Sequence, residues 1–119
     1  MEHFFFYLGL AFLLIHEMDA IRCEEWKIIP GLSLLNDYWG YRIFIILHIP
    51  LFFMPLFILS DINLSKNLIF GLSVFFIIHF LLHLLFLKHR NNKFNDWFSW
   101  IIISLTGIFG LMNLIINKI

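Results

Sequence analysis

Four long apolar segments, at about 4–22, 40–59, 67–88 and 97–117, are separated by short polar breaks. Pro30-Gly31 interrupts the first connection, Ser60-Asp61-Ile62-Asn63 the second and Arg90-Asn91-Asn92 the third. At about 1.5 Å of rise per residue, each segment crosses roughly 30 Å of hydrocarbon as a helix. Strands are disfavoured, because an open sheet leaves backbone groups unsatisfied in lipid and four segments are too few to close a barrel. The pattern predicts an all-α, integral membrane four-helix bundle, with residues 1–119 as one transmembrane domain.

Basic residues orient the bundle. Let side A be the face reached at the end of the first helix. Arg22, Lys27, Arg42, Lys88, Arg90 and Lys93 fall there, and Lys66 and Lys118 fall on the opposite side B. This bias predicts a multi-pass plasma (inner) membrane protein with side A cytoplasmic and both termini outside. Trp26, Tyr38, Trp39, Tyr41, Trp97 and Trp100 gather on side A as an interfacial aromatic belt. The segment opening on Met1-Glu2-His3-Phe4 has no basic signal region and ends in His16-Glu17-Met18-Asp19, so it is expected to remain as a span. The first connection carries Ile28, Ile29, Leu32, Leu34 and Leu35 and is expected to lie on the membrane surface, with a lid over a cavity as the alternative.

Composition agrees with a lipid solvent. The 119 residues are 61% hydrophobic and 13% charged, against about 25% charged in soluble domains. A formal net charge of zero, with no basic run, argues against nucleic acid as a partner. The lone Cys23 rules out an internal disulfide.

Ionisable residues nevertheless persist inside the spans: His16, Glu17, Asp19, His48, His79 and His83. Each costs about 2.5–3.5 kcal/mol at the bilayer centre on the mildest scale, and such groups normally face the bundle interior and serve function. Counted from the side A ends, Asp19 lies about 5 Å in, His83 about 8 Å, His16 about 9 Å, His48 about 12 Å and His79 about 14 Å. Ser104 falls near the same level. His16, Asp19 and Cys23 form one helical stripe, and His79 and His83, four apart, share a face.

Several imidazoles with a carboxylate fit zinc best, with iron or manganese as alternatives. The expected metal ligands are His16, His48, His79 and His83, with Asp19 as ligand or as the group orienting one. Glu17 and Asp19 are the candidate catalytic acids or bases for a metal-bound water. Taken singly, His48 could instead bond a carbonyl freed by Pro50 or Pro55. Gly107 and Gly110 with Ser104 read as a close-packing face, and Glu24 and Glu25 as interfacial partners of Arg22 or Lys27.

The run His16-Glu17-Met18-Asp19-Ala20-Ile21-Arg22-Cys23-Glu24-Glu25-Trp26, followed by Gly40-Tyr41-Arg42 and His48-Ile49-Pro50-Leu51, resembles an uncharacterised family of small four-helix bacterial membrane proteins. More loosely, the chain is similar to the HXXEE membrane proteins, whose buried His and Glu imply enzyme activity. In ligand type, the set resembles the intramembrane zinc hydrolases of the ceramidase and progestin-receptor kind, which use three His, an Asp and a Ser. The resulting expectation is a metal-dependent, hydrolase-like membrane enzyme acting on a lipid or membrane-embedded substrate near the cytoplasmic leaflet, with homo-oligomers as candidate assemblies. A small oligomeric proton or metal-ion transport subunit, a haem-binding electron-transfer protein and a structural membrane subunit are the alternatives.

Overall fold

The computed structural model describes residues 2–117. Lys118, placed above on side B, lies outside the described residues. The chain is all-α, with four helices: α1 (Phe4–Arg22), α2 (Asp37–Leu59), α3 (Ile62–Leu85) and α4 (Trp97–Ile116). All four are long and apolar enough to cross a membrane. Two short 3-10 turns, Glu25–Lys27 and Leu32–Leu34, occupy the first connection.

Two helices begin earlier than hydropathy alone indicates, because polar caps rather than apolar residues set their starts. The Asn36 side chain accepts the Trp39 amide at 2.9 Å, so α2 opens at Asp37. The Asp61 carboxylate accepts the Asn63 amide at 2.8 Å, so α3 opens at Ile62 and only Ser60 and Asp61 separate it from α2. At the far end, α3 stops at Leu85, short of the expected position 88.

The tight part of the bundle is α4 packed against α1 and α3. Small residues on α4 permit this. A Cβ added at Gly110 would lie 2.6 Å from the Ser73 carbonyl oxygen and 2.9 Å from the Phe76 Cβ. One added at Gly107 would lie 2.9 Å from the Phe80 Cβ. The close-packing face read from the sequence is therefore the α3–α4 seam. Within it, Asn113 Nδ2 donates to Ser73 Oγ at 3.0 Å, which donates in turn to the Ile69 carbonyl at 2.7 Å. We predict that Gly110→Ala lowers stability by about 1–3 kcal/mol through overpacking, read as a lower melting temperature in detergent. Gly71→Ala, whose Cβ would meet nothing within 4 Å, serves as the control.

α2 stands apart. It buries only Gly40 and Phe44 along its length. Near side A, Gly40 sits over the Trp26 indole, where an added Cβ would fall 2.7 Å from a ring carbon. Near side B, Leu59 packs against the cluster of Phe6, Leu13, Ile69 and Phe76. A second cluster near side A contains Ala20, Cys23, Trp26, Ile28, Phe44, Phe94 and Ile103. On α1, His16 falls between these clusters, after Leu13 and before Ala20. α2 is thus held at both ends and leaves a cleft against α1 and α3 along its middle.

Candidate metal centre

His16 comes from α1, and His79 and His83 come from one face of α3. All three are buried, His16 completely. Their ring centroids form a triangle with every side 4.7 Å, and the planes meet at 71°, 86° and 79°. Near-perpendicular imidazoles at this spacing meet edge to face rather than stacking. His16 Nε2 and His83 Nε2 lie 3.2 Å apart.

The fourth donor arrives from the turn after α1. The Cys23 amide closes the helix on the Asp19 carbonyl at 2.9 Å, and Glu24 then takes the left-handed conformation at φ 52° and ψ 49°. That conformation costs a non-glycine residue roughly 1–2 kcal/mol. Ion pairs of Glu24 with Lys27 and with Lys93 hold the turn, the latter at 3.0 Å. Hydrogen bonds from Lys27 and then Lys93 keep the Glu24 carboxyl below the ordinary carboxylate range, and the bond to Glu24 raises Lys27. The reversal carries Glu25 back beneath the bundle, where its Oε2 lies 3.6 Å from His16 Nε2.

One ligand atom from each of His16, Glu25, His79 and His83 falls within 4.8 Å of all the others. A tetrahedral ion with bonds of about 2.0–2.1 Å has edges of about 3.3–3.4 Å. The separations of 3.2 and 3.6 Å bracket that edge. Glu25 Oε2, His16 Nδ1 and His79 Nδ1 are buried without a hydrogen-bond partner. An unpaired buried polar atom costs about 1–3 kcal/mol, and more when charged. A cation facing the carboxylate would remove that penalty at Glu25.

The centre is closed toward side A and apolar at its flank. The Phe94 ring packs 4.7 Å from His83 and 5.4 Å from His16, held by Trp100 Nε1 donating to the Phe94 carbonyl at 2.6 Å. A cavity of about 290 Å³ reaches Glu25, His79 and His83 between α3 and the first connection, with Ile28, Ile29 and Pro30 forming one wall. The first connection therefore covers a cavity, the alternative raised from the sequence.

Two expected ligands occupy other positions. His48 bonds Glu17: its Nε2 lies 2.6 Å from Glu17 Oε2, and its Nδ1 lies 2.6 Å from the Phe44 carbonyl. Because a carbonyl only accepts, Nδ1 carries a hydrogen. The short Nε2–Oε2 contact then requires one further proton, held by either partner, so the pair stores a single shared proton. The Phe44 carbonyl is one turn before His48 and is not freed by either proline, which corrects the expectation that Pro50 or Pro55 supplies the acceptor.

Asp19 turns toward α4. It accepts from Arg22 Nε at 2.8 Å and from Ser99 Oγ, and Arg22 continues to Ser99 and Asp96. Ser99, rather than Ser104, is thus the α4 hydroxyl engaged by this stripe. The Ser99 amide, bonding first, and the nearby Arg22 hold Asp96 below its ordinary range. Cys23 is buried on the same network, and burial followed by the nearby Asp19 pushes its thiol up to about 11. The Cys23 sulfur lies 3.5 Å from the Lys93 carbonyl, to which its thiol donates.

The structure gathers His16, His79 and His83, seats His48 with Glu17 and Asp19 with Ser99, and adds Glu25, which sequence reading placed at the interface. The adjacent Glu24-Glu25 at the end of α1 is the only sequence signal for that addition, since its direction depends on the left-handed turn. A family model described as a family of unknown function matches residues 2–118, consistent with an uncharacterised small four-helix family. No curated protein and no solved structure matches the chain.

Proposed function

We infer the function of this chain, which belongs to the DUF6713 family of unknown function, from its imidazole–carboxylate centre. It is a membrane-spanning metalloenzyme that hydrolyses a lipid or other membrane-embedded substrate within the leaflet at side A, the cytoplasmic side. His16, His79 and His83 would hold a divalent ion, with zinc preferred for the imidazole and carboxylate donors and their spacing. Such an ion would supply Lewis acidity to a water beside the three imidazoles.

Glu25, whose Oε2 lies 3.6 Å from His16 Nε2, would take a proton from water there. Glu17, sharing a proton with His48, returns one to the departing oxygen. The observation that carries the reading is the buried Glu25 carboxylate oxygen, which lacks a donor and faces three imidazoles.

The apolar wall of the cavity beside His79 and His83 supports a membrane-borne substrate, and Phe94 shields the imidazoles toward side A. A conduction path has less support. Toward side B, the fully buried Phe6 and Phe76 rings stack at 5.9 Å in the bundle interior.

Elemental analysis of protein purified in detergent without added metal tests this reading. About one zinc per chain is expected. Metal at background level, together with stability unchanged by chelation, would overturn it.

A further inference from the structure

One face of α3 carries Leu72, Phe75, His79 and Leu82, and Phe86 just beyond the helix end continues the same spacing of three, four, three and four residues. The upper two line a cavity of about 260 Å³ between α1, α2 and α3, and the lower three line the cavity beside the imidazoles. Phe75 lines the first and His79 the second, and their rings, 5.5 Å apart, stand between the two cavities. The two cavities thus follow one another along α3, with the His79 imidazole at the near edge of the second.

The half toward side B is built for hydrocarbon. Leu13 and Leu14 of α1 face Leu51 and Pro55 of α2, and Glu17 alone among the lining residues is charged. Glu17 stands at the end nearer the imidazoles, with one carboxylate oxygen on His48. From Leu72 to His79 the apolar run covers about 10 Å along the helix. The His48–Glu17 bond closes this stretch at its side A end, and above it Leu10, Leu13 and Leu14 of α1 stand across the cavity from Leu51, Pro55 and Leu56 of α2.

We propose that the α1–α2–α3 cleft binds the acyl chain of a single lipid, with its methyl end toward side B and its polar linkage between Glu17 and the imidazole centre. This rests on the hydrolase reading and adds the substrate class to it: an amphiphile whose reactive linkage follows directly on a long alkyl chain. A membrane peptide fits less well, since a helix about 10 Å across would need α2 displaced from both Trp26 and the Leu59 cluster.

The test uses the full-length protein in detergent and a palmitic-acid analogue carrying a diazirine near its methyl end. Irradiation should label peptides containing Leu72, Phe75 and Leu51, and unlabelled palmitate should compete. Leu51→Trp, at a half-exposed position on the cleft wall, should cut labelling at Leu72 and Phe75 about tenfold with zinc content unchanged. Leu72→Trp should do the same from the opposite wall. Labelling spread over the outward α2 residues Ile49 and Phe53, and insensitive to both tryptophans, overturns the cleft. Cleft labelling that responds to both tryptophans in a protein devoid of zinc keeps the acyl site and overturns the hydrolase.

Discussion

His16→Ala purifies with metal at background level, and its melting temperature no longer responds to chelation. His16 is the residue on which the centre turns: completely buried, within 4.7 Å of both other imidazole rings, 3.2 Å from His83 Nε2 and 3.6 Å from Glu25 Oε2. Without it, the two imidazoles of α3 remain beside the Glu25 carboxylate, with no donor from α1. An ion that binds only the folded chain stabilises it by about 4 kcal/mol when present at a thousandfold excess over its Kd. The wild type should therefore lose several degrees on chelation, and His16→Ala should melt at the same temperature with or without chelator. Truncation also leaves a cavity, so the variant's absolute stability falls as well. The readout is the difference made by chelator, which packing loss alone would leave intact. A chelator effect of wild-type size in His16→Ala would remove His16 from the ligand set.

Glu25→Gln weakens metal binding about 10–100-fold, the range known for polar groups supporting a metal site, and Asp19→Asn leaves it unchanged. The sequence favours the opposite order, because Asp19 lies inside a span on the His16 stripe and Glu25 lies beyond the helix end. The geometry reverses it. Glu25 Oε2 faces the imidazoles with no hydrogen bond, and Asp19 is already occupied by Arg22 and Ser99. Asp19→Asn should instead loosen the α1–α4 contact, because the bond that Ser99 Oγ donates to the Asp19 carboxylate loses its charge assistance. Zinc titration of the two variants separates the roles. A weakened Asp19→Asn site beside an unaffected Glu25→Gln site would return the carboxylate role to Asp19.

These reversals show which kinds of information a linear chain carries. Helix number and type follow from runs of apolar residues, because a bilayer-length helix is a property of one segment and the cost of bare backbone in lipid excludes other forms. His79 and His83 sit four apart on one helix, so their shared face needs no tertiary knowledge. His16 could be placed at their level by counting residues from the helix ends. Depth was legible; azimuth between helices was not.

His48 illustrates the limit. It matches the others in depth, yet α2 stands off from the bundle, and its imidazole meets Glu17 at 2.6 Å instead of joining the triangle. Nothing in the residues of α2 announces that separation. It accompanies Gly107 and Gly110 drawing α3 and α4 together, while α2 packs near its ends at Trp26 and the Leu59 cluster and reaches α1 at its middle through Glu17.

The sequence by itself determined four apolar helices, their aromatic and basic end, and a layer of imidazoles in the half of the bundle near side A. Only the tertiary structure decided which acid joins them. Glu25 reaches His16 through a left-handed turn at Glu24, a conformation that depends on lysines at positions 27 and 93 from two different connections. Local sequence fixes what a segment can become, but the direction of a side chain across the bundle depends on the packing of its neighbours.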